Sequence, residues 1–200
     1  MTSPTPALES SAPVPLLFIQ GAGEGAHDAD AGLAGALGQE LGTNFRVCFP
    51  RLPDEADPDG DAWKRAIAAE ARRANATLVV AHSAGAAITA DLLAEGRFGA
   101  ELPGVRGLFL LAPPFVGPGG WSLEGFHFDR PQSPASLAML PVHFYFGSSD
   151  TTVPLAHAEL YERVFPGARF SRLPGCDHQF AGHAARVADD VRALVRASSA

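Results

Sequence analysis

The segment TLVVAHSAGAAITADLLAEG, residues 77–96, joins two different hydrophobic patterns at one serine. Its first part, residues 77–81, is a short continuous apolar run of the kind found in buried parallel strands. Its last part, residues 86–95, is rich in alanine and leucine and is followed by a glycine, a frequent helix terminator. The residues between the two parts are mostly small. We therefore predict a buried strand, a tight turn that carries Ser83, and a helix.

The same two patterns alternate along the chain on both sides of this segment. Apolar runs followed by amphipathic runs predict βαβ units with right-handed crossovers, in which helices cover both faces of the sheet. The expected strands are residues 15–19, 45–49, 77–81, 106–111, 141–146 and 168–173, the last a weak edge strand. The expected helices are residues 31–41, 62–74, 86–95, 155–164 and 183–198. The predicted fold class is α/β, a three-layer α/β/α sandwich with a mostly parallel sheet of about six strands.

Length and composition indicate one globular domain with an acidic balance. The chain has 200 residues, of which 46% are apolar and 18% charged, and its formal net charge is -7. Phosphate binding requires a basic face, so this balance argues against a nucleic-acid partner. Residues 1–14 are predicted to be a flexible tail without signal-peptide features, and residues 15–200 a single domain. No apolar run approaches the roughly 18–20 residues of a membrane span, so we expect no membrane partner. The two cysteines, Cys48 and Cys176, set no disulfide framework and are expected to be reduced thiols in a cytoplasm. We expect a monomer or small homo-oligomer.

Ser83 lies in the pentapeptide AHSAG, residues 81–85, which approximates the pattern G-x-S-x-G. In that pattern a strained strand-to-helix turn exposes the serine hydroxyl, and small neighbours let the backbone pass. Alanine, the next smallest residue, replaces the first glycine here. The predicted strand before the turn and the helix after it are the expected context, so we interpret Ser83 as a nucleophile. The plainer alternative is an ordinary helix start with Ser83 near its N-cap.

A serine hydroxyl is a weak nucleophile and needs a base within hydrogen-bond reach. In this type of fold the acid and then the histidine follow the serine in chain order. Asp150 comes shortly after the predicted strand 141–146, at the carboxyl edge where open α/β sheets place their sites. His178 lies in the loop after the predicted strand 168–173. We therefore predict that His178 is the general base and that Asp150 orients it.

Other interpretations of these two side chains stay open. Asp150 could cap the turn before the next helix, and His178 could be a surface loop histidine. Asp129, in the long segment 112–140, is the reserve candidate for the acid. Asp177 adjoins His178 in sequence and is poorly placed to orient its ring.

The oxyanion of an acyl-transfer intermediate needs N–H donors. The amide after the nucleophile, on Ala84, supplies one, and the loop after the first strand supplies the other, for which we predict Ala22. The long segment 112–140 is more typical of a binding loop than of a spacer. Small-molecule pockets are mostly apolar, so aromatic residues of this segment could form a substrate wall or could only pack the loop onto the sheet. The predicted substrate-binding residues are Gly21, His82, Phe115, Trp121 and Phe126.

A dinucleotide cofactor or a metal ion would be a competing use of these loops. The segment GAGEG, residues 21–25, lacks the last glycine of G-x-G-x-x-G because Ala26 occupies that position, and no acidic ribose partner ends the second strand. His178 and His183 are five residues apart, and no H-E-x-x-H motif occurs. We predict no cofactor and no metal, with a small-molecule acyl compound as the partner.

At these motifs the sequence resembles the α/β-hydrolase superfamily, specifically its small, cap-less bacterial serine hydrolases. The resemblance covers nearly all of the chain after the tail, and it departs from the family at Ala81 and at Gln20, where many relatives carry histidine. It implies a minimal fold without a separate cap domain, and a carboxylesterase-like acyl hydrolase with a Ser-His-Asp triad. An acyltransferase on the same triad and a non-catalytic binding protein are the alternatives. The segments that carry the resemblance are QGAG at 20–23, AHSAG at 81–85, GSSDTTVP at 147–154 and GCDHQF at 175–180.

Overall fold

The structure, a computed structural model, describes residues 12–122 and 140–198. Within these ranges six strands form one sheet in the order β2-β1-β3-β4-β5-β6, and every pairing is parallel. The strands are β1 (Val14–Ile19), β2 (Phe45–Cys48), β3 (Leu78–His82), β4 (Gly107–Leu111), β5 (Val142–Gly147) and β6 (Arg169–Leu173). The helices are α1 (Ala26–Leu41), α2 (Gly60–Ala74), α3 (Ser83–Ala94), α4 (Phe98–Glu101), α5 (His157–Val164) and α6 (Ala184–Ser198). The predicted fold class is confirmed, with a sheet that is wholly parallel.

Two hydrophobic cores lie on the two faces of this sheet. Because successive strand side chains point to opposite faces, Leu17 and Ile19 of β1 enter one core, and Leu16 and Phe18 enter the other. The first core also contains apolar residues of α2, α3 and α5, and the second contains those of α1 and α6. Every residue of β3 and β4 is buried, which explains their continuous apolar sequences. This arrangement gives the three predicted layers.

The helix boundaries differ most from the prediction at the amino ends of α1 and α3. Helix α1 begins at Ala26, five residues before its predicted start, and Asp28 lies in its first turn. The helix dipole favours an acidic side chain in the first turn. The predicted helix start was based on the spacing of the leucines and did not take this signal into account. Helix α3 begins at Ser83 itself, so the turn is tighter than predicted. The short helix α4 was not predicted, because four residues are too few to show a period.

His143 on β5 belongs to a buried polar network beneath α6. Its Nε2 lies 2.9 Å from Oγ of Ser171, and its Nδ1 lies 2.8 Å from the hydroxyl of Tyr145. That hydroxyl donates to Oδ2 of Asp190 at 2.8 Å. Because the hydroxyl proton of Tyr145 is donated to Asp190, the hydroxyl oxygen is an acceptor for His143. A neutral imidazole that donates from Nδ1 and accepts at Nε2 therefore satisfies every contact.

This network predicts a loss of stability in weak acid. Burial lowers the pKa of His143 to about 4, with Asp190 opposing the shift and Arg169 and Arg186 adding to it. The pKa of a histidine in the unfolded chain is about 6.5, so the full stability is present above that pH. As the pH falls from 6.5 towards 4, the free energy of unfolding decreases by about 3 kcal/mol, because the unfolded chain takes up a proton that the folded protein does not. Urea unfolding between pH 7.5 and 4.5 measures it. We expect His143→Gln to flatten the pH dependence of the free energy of unfolding; a slope equal to that of the wild type would contradict the assignment.

Candidate active site

Ser83 lies where β3 ends and α3 begins, at the carboxyl edge of the sheet. Its backbone φ is 50°, in the left-handed region that non-glycine residues seldom adopt. Such strain persists only where the surrounding structure enforces it, and it is concentrated at functional sites. The side chain therefore stands at the top of a sharp strand-to-helix turn, as the motif predicts.

Gly85 allows this turn because α3 passes directly against the end of β1. A Cβ at this position would overlap the carbonyl oxygen of Gln20 and would lie 2.6 Å from Cγ2 of Ile19. Ala81, in contrast, is fully buried in the core without exposing any surface. The first glycine of the general pattern is thus replaceable in this chain, whereas the second is required by the close backbone approach.

We expect Gly85→Ala to lower the free energy of unfolding by about 3 kcal/mol, because the added methyl group meets backbone that cannot move aside cheaply. Gly32→Ala is the matched control: it lies in α1, and its Cβ would meet no heavy atom within 4 Å. Alanine is the better helix former, so this control should gain about 0.5–1 kcal/mol. Urea denaturation of both variants measures the two values. A Gly85→Ala variant as stable as the wild type would disprove the close approach.

His178 and Asp150 meet Ser83 in a continuous hydrogen-bonded row. Nε2 of His178 lies 3.1 Å from Oγ of Ser83, and Nδ1 lies 2.8 Å from Oδ2 of Asp150. The other carboxylate oxygen of Asp150 accepts the N–H groups of Thr152 and Val153, each at 2.8 Å. Burial raises the pKa of Asp150, but the hydrogen bonds from His178 and the two amides outweigh it, so the pKa lies below its usual value. An ionised carboxylate keeps the histidine proton on Nδ1 and leaves Nε2 free to accept the serine proton.

The loop that carries Asp150 and the loop that carries His178 are joined by two hydrogen bonds. The N–H of Ser149 donates to the carbonyl oxygen of Cys176 at 2.9 Å, and the N–H of Gly175 donates to Oγ of Ser148 at 2.9 Å. Burial raises the pKa of the Cys176 thiol to about 12, so this cysteine is not a thiolate near neutral pH. It contributes to the loop packing and does not compete with the serine as a nucleophile.

Asp177, another acid considered from the sequence, makes its side-chain contact within its own loop. The Oδ1 atom of Asp177 accepts the N–H of Ala181 at 3.0 Å, so this carboxylate closes the local turn. Asp129 lies outside the described residues.

A cavity of about 500 Å³ opens above Ser83. Of the residues predicted to bind substrate, Gly21, His82 and Trp121 line this cavity, and Phe126 lies outside the described residues. The prediction for Phe115 needs correction: its side chain is 4% exposed and packs edge-on against Tyr161 in the core. The cavity walls are mainly apolar, and most of the residues that form them were not predicted from the sequence. These additional lining residues include Pro58, Ala87, Ile88, Pro114, Val116, Thr152 and Gln179.

The two predicted oxyanion donors, Ala22 and Ala84, both line this cavity beside Ser83. The N–H of Gly21 donates to Asp30 at 2.7 Å and that of Gly23 to a backbone carbonyl oxygen at 2.6 Å. Between them, the N–H of Ala22 has no acceptor among the described residues. Ala84 is the second residue of α3, so its N–H is one of the first four that lack a partner within the helix. The positive end of the helix dipole favours negative charge at the same place.

Two buried polar residues of the site were not assigned a role from the sequence. Gln20 is fully buried; its Oε1 accepts the N–H of Leu52 at 3.0 Å, and its Nε2 donates to Glu55 at 2.7 Å. It therefore fixes the loop after β1 to the loop before α2. Asp30 is 2% exposed and contacts His82. Its position three residues before a buried leucine of α1 places it on the buried face of that helix, a signal the sequence does contain.

The family model described as serine hydrolase matches residues 36–183, which is 148 of the 200 residues. This span includes Ser83, Asp150 and His178. The chain belongs to the serine hydrolase family. Comparison with curated proteins finds none that matches it.

Solved structures similar to this serine hydrolase have the same fold at low sequence identity. Est1E from Butyrivibrio proteoclasticus is 17% identical with a TM-score of 0.62, covering 92% of this chain and 88% of its own. The esterase domain of a Rhodothermus marinus protein is 18% identical with a TM-score of 0.60, covering 93% and 88%. A protein from Xanthomonas campestris pv. campestris, described as a hydrolase of the α/β superfamily, is 16% identical with a TM-score of 0.58, covering 91% and 95%. The serine hydrolase thus has the fold that these hydrolases share.

Residues 12–122 and 140–198 are the described part of the serine hydrolase. In these ranges no group of three or more His, Cys, Asp and Glu side chains is arranged to hold a metal ion. None of the helices described there combines the length and the apolar character that crossing a membrane requires.

Proposed function

We propose that this hydrolase cleaves carboxylic esters through a Ser83–His178–Asp150 catalytic triad and an acyl-enzyme intermediate. The observation that carries the proposal is the hydrogen-bonded row: Nε2 of His178 lies 3.1 Å from the hydroxyl oxygen of Ser83, and Nδ1 lies 2.8 Å from Asp150. A nucleophile beside a base that a third group orients is the arrangement that activates a hydroxyl near neutral pH.

In the first half of the reaction, Oγ of Ser83 attacks the ester carbonyl carbon while Nε2 of His178 takes the hydroxyl proton. The ionised Asp150 stabilises the imidazolium that forms. The tetrahedral intermediate collapses, the bond from carbon to the alcohol oxygen breaks, and His178 delivers its proton to the departing alcohol. The acyl group is then bound to Ser83.

In the second half, water replaces the alcohol. Nε2 of His178 takes a proton from the water as its oxygen attacks the acyl carbon, and the same nitrogen returns the proton to Oγ of Ser83 as the acid departs. Both tetrahedral intermediates have a negatively charged oxygen. We assign its stabilisation to the N–H groups of Ala22 and Ala84, which need no rearrangement to receive it.

The residues that line the cavity favour an ester substrate whose acyl group is apolar and of small or medium size. Trp121, Val116 and Ile88 supply apolar surface, which binds a hydrocarbon group by removing it from water. Among the similar structures, one is an esterase domain, and Est1E has been solved with ferulic acid bound. At 16–18% identity these neighbours support only the fold, so the ester substrate is proposed from the site itself.

Two assays test the proposal. The first measures hydrolysis of p-nitrophenyl acetate, butyrate and hexanoate; the second measures labelling by a fluorophosphonate, with the modified peptide identified by mass spectrometry. We expect turnover of at least one ester and a single adduct on Ser83. Adding a short alcohol separates hydrolysis from acyl transfer, because a transferase forms the new ester in preference to the free acid. Absence of both turnover and labelling would leave the binding-protein alternative.

A further inference from the structure

A second histidine–carboxylate pair lies directly below the proposed triad. Nδ1 of His82 is 2.9 Å from Oδ1 and 3.0 Å from Oδ2 of Asp30, and both side chains are at least 98% buried. Nε2 of the same ring lies 2.8 Å from the backbone carbonyl oxygen of His178. Oδ2 of Asp30 accepts the N–H of Gly21 at 2.7 Å. The pair therefore connects the loop of the proposed base with the loop of the proposed oxyanion donor.

Each hydrogen bond of the His82 ring pairs one donor with one acceptor. The carbonyl oxygen of His178 only accepts, so the proton of that contact is on Nε2 of His82. A second proton lies between Nδ1 and the carboxyl group of Asp30, whichever of the two carries it. The ring therefore donates to the backbone of His178 through one nitrogen and is held by Asp30 through the other. Both ring nitrogens are occupied, so His82 has no polar atom to offer a substrate.

The position of His82 links this pair to catalysis. It immediately precedes Ser83, and its ring centroid is 4.8 Å from that of His178. Three parts of the site thus meet at one imidazole: the nucleophile through the chain, the base through its carbonyl oxygen, and the oxyanion loop through Asp30. A shift of about 1 Å in such a group can lower the rate by about 100-fold.

We propose that Asp30 and His82 form a positioning pair. His82 holds the backbone of His178 in the position from which its ring reaches Ser83. Asp30 fixes the position of the His82 ring and of the Gly21 backbone. This inference rests on the proposed function, since it concerns the same reaction. Neither residue touches the reacting atoms. Their effect is on kcat, through the placement of His178, and not on the affinity for substrate.

Two substitutions at one position separate the two contacts. In His82→Gln the side-chain amide reaches the place of Nε2, so the contact with the carbonyl oxygen of His178 is kept and that with Asp30 is lost. In His82→Asn the amide reaches the place of Nδ1, so the contact with Asp30 is kept and that with His178 is lost. A purely structural role would make activity follow stability in both variants. A positioning role makes them diverge, because a carboxyl group without its partner in the core destabilises the glutamine variant more.

The experiment measures kcat, KM and the melting temperature for the wild type and both variants with a p-nitrophenyl ester. We expect His82→Asn to lose at least about tenfold in kcat with KM changed less than about twofold, although it is the more stable variant. His82→Gln should melt lower yet lose several-fold less kcat than His82→Asn, because it keeps the contact with the carbonyl oxygen of His178. Where His82→Gln does not fold, the double variant Asp30→Asn/His82→Gln removes the unpartnered carboxyl group and carries the same comparison. Equal kcat losses in the two variants, or none, would overturn the proposal.

A second readout is independent of turnover. The Nδ1 proton of His178, held against Asp150, gives a low-field proton resonance in NMR spectra when it is protected from exchange with water. We expect this resonance to persist in His82→Gln and to broaden or disappear in His82→Asn. If the wild type hydrolyses no ester, the proposed function fails while this measurement still decides the positioning role. Identical spectra for the two variants would overturn the pair without affecting the triad.

Discussion

Ser83→Ala is expected to lower kcat/KM for p-nitrophenyl esters by about 10⁴-fold or more, because the variant has no atom that can form the acyl-enzyme. The imidazole of His178 and the two proposed oxyanion donors stay in place, so the remaining rate is that of water attack assisted by the site. Initial rates measured against enzyme concentration, corrected for the uncatalysed reaction, give the value. Fluorophosphonate labelling should disappear in the same variant.

Ser149→Ala is the matched control for this substitution. Ser149 is exposed in the turn after β5, close in sequence to Asp150, and the structure assigns a contact to its backbone N–H. Removing its hydroxyl should leave kcat/KM within about twofold of the wild type. If Ser83→Ala keeps its activity and its labelling, the nucleophile is another residue and the proposed mechanism falls.

The turn at Ser83 and the edge of the sheet could be predicted because local sequence determines them. A continuous apolar run, small residues and a helical run in immediate succession leave few backbone conformations, and Gly85 makes the close approach that the motif demands. In a wholly parallel sheet the loops after β3, β5 and β6 all lie at one edge. The sequence therefore indicates that Ser83, Asp150 and His178 share an edge, and the structure adds the distances between them.

Side-chain directions in the long segment after β4 could not be predicted. Phe115 and Trp121 are both aromatic residues among proline and glycine, and no period shows which of them faces a cavity. In the structure Phe115 packs on Tyr161 in the core, whereas Trp121 lines the cavity. Such a choice depends on which core space α5 leaves open, and that is a property of the packed fold rather than of neighbouring residues.

The buried pair of Asp30 and His82 was missed for a different reason. The two residues are 52 positions apart, and each has an ordinary local explanation, as a polar residue near a helix start and as a packing residue before the serine. Only the register of α1 against the end of β3 brings them together. A polar residue on an apolar helix face is nevertheless visible in the sequence, and a buried polar group requires a partner.

Asp150→Asn is expected to lower kcat by about 10⁴-fold with little change in KM. The asparagine Oδ1 can still accept the N–H groups of Thr152 and Val153, so its amide nitrogen then faces Nδ1 of His178. An amide N–H donates to Nδ1, so the ring proton moves to Nε2. That nitrogen then points a hydrogen at Ser83 and cannot accept the proton of its hydroxyl.

Asp177→Asn, next to the same histidine, distinguishes this effect from a general loss of negative charge. Its Oδ1 accepts the N–H of Ala181, which an asparagine oxygen does equally well, so kcat should stay within about twofold of the wild type. Both variants remove one carboxylate near His178, and only Asp150→Asn changes what Nδ1 meets. Measured kcat values that fall equally in the two would indicate a simple charge effect. A wild-type kcat in Asp150→Asn would transfer the role of the acid to another carboxylate, with Asp129 the first to test.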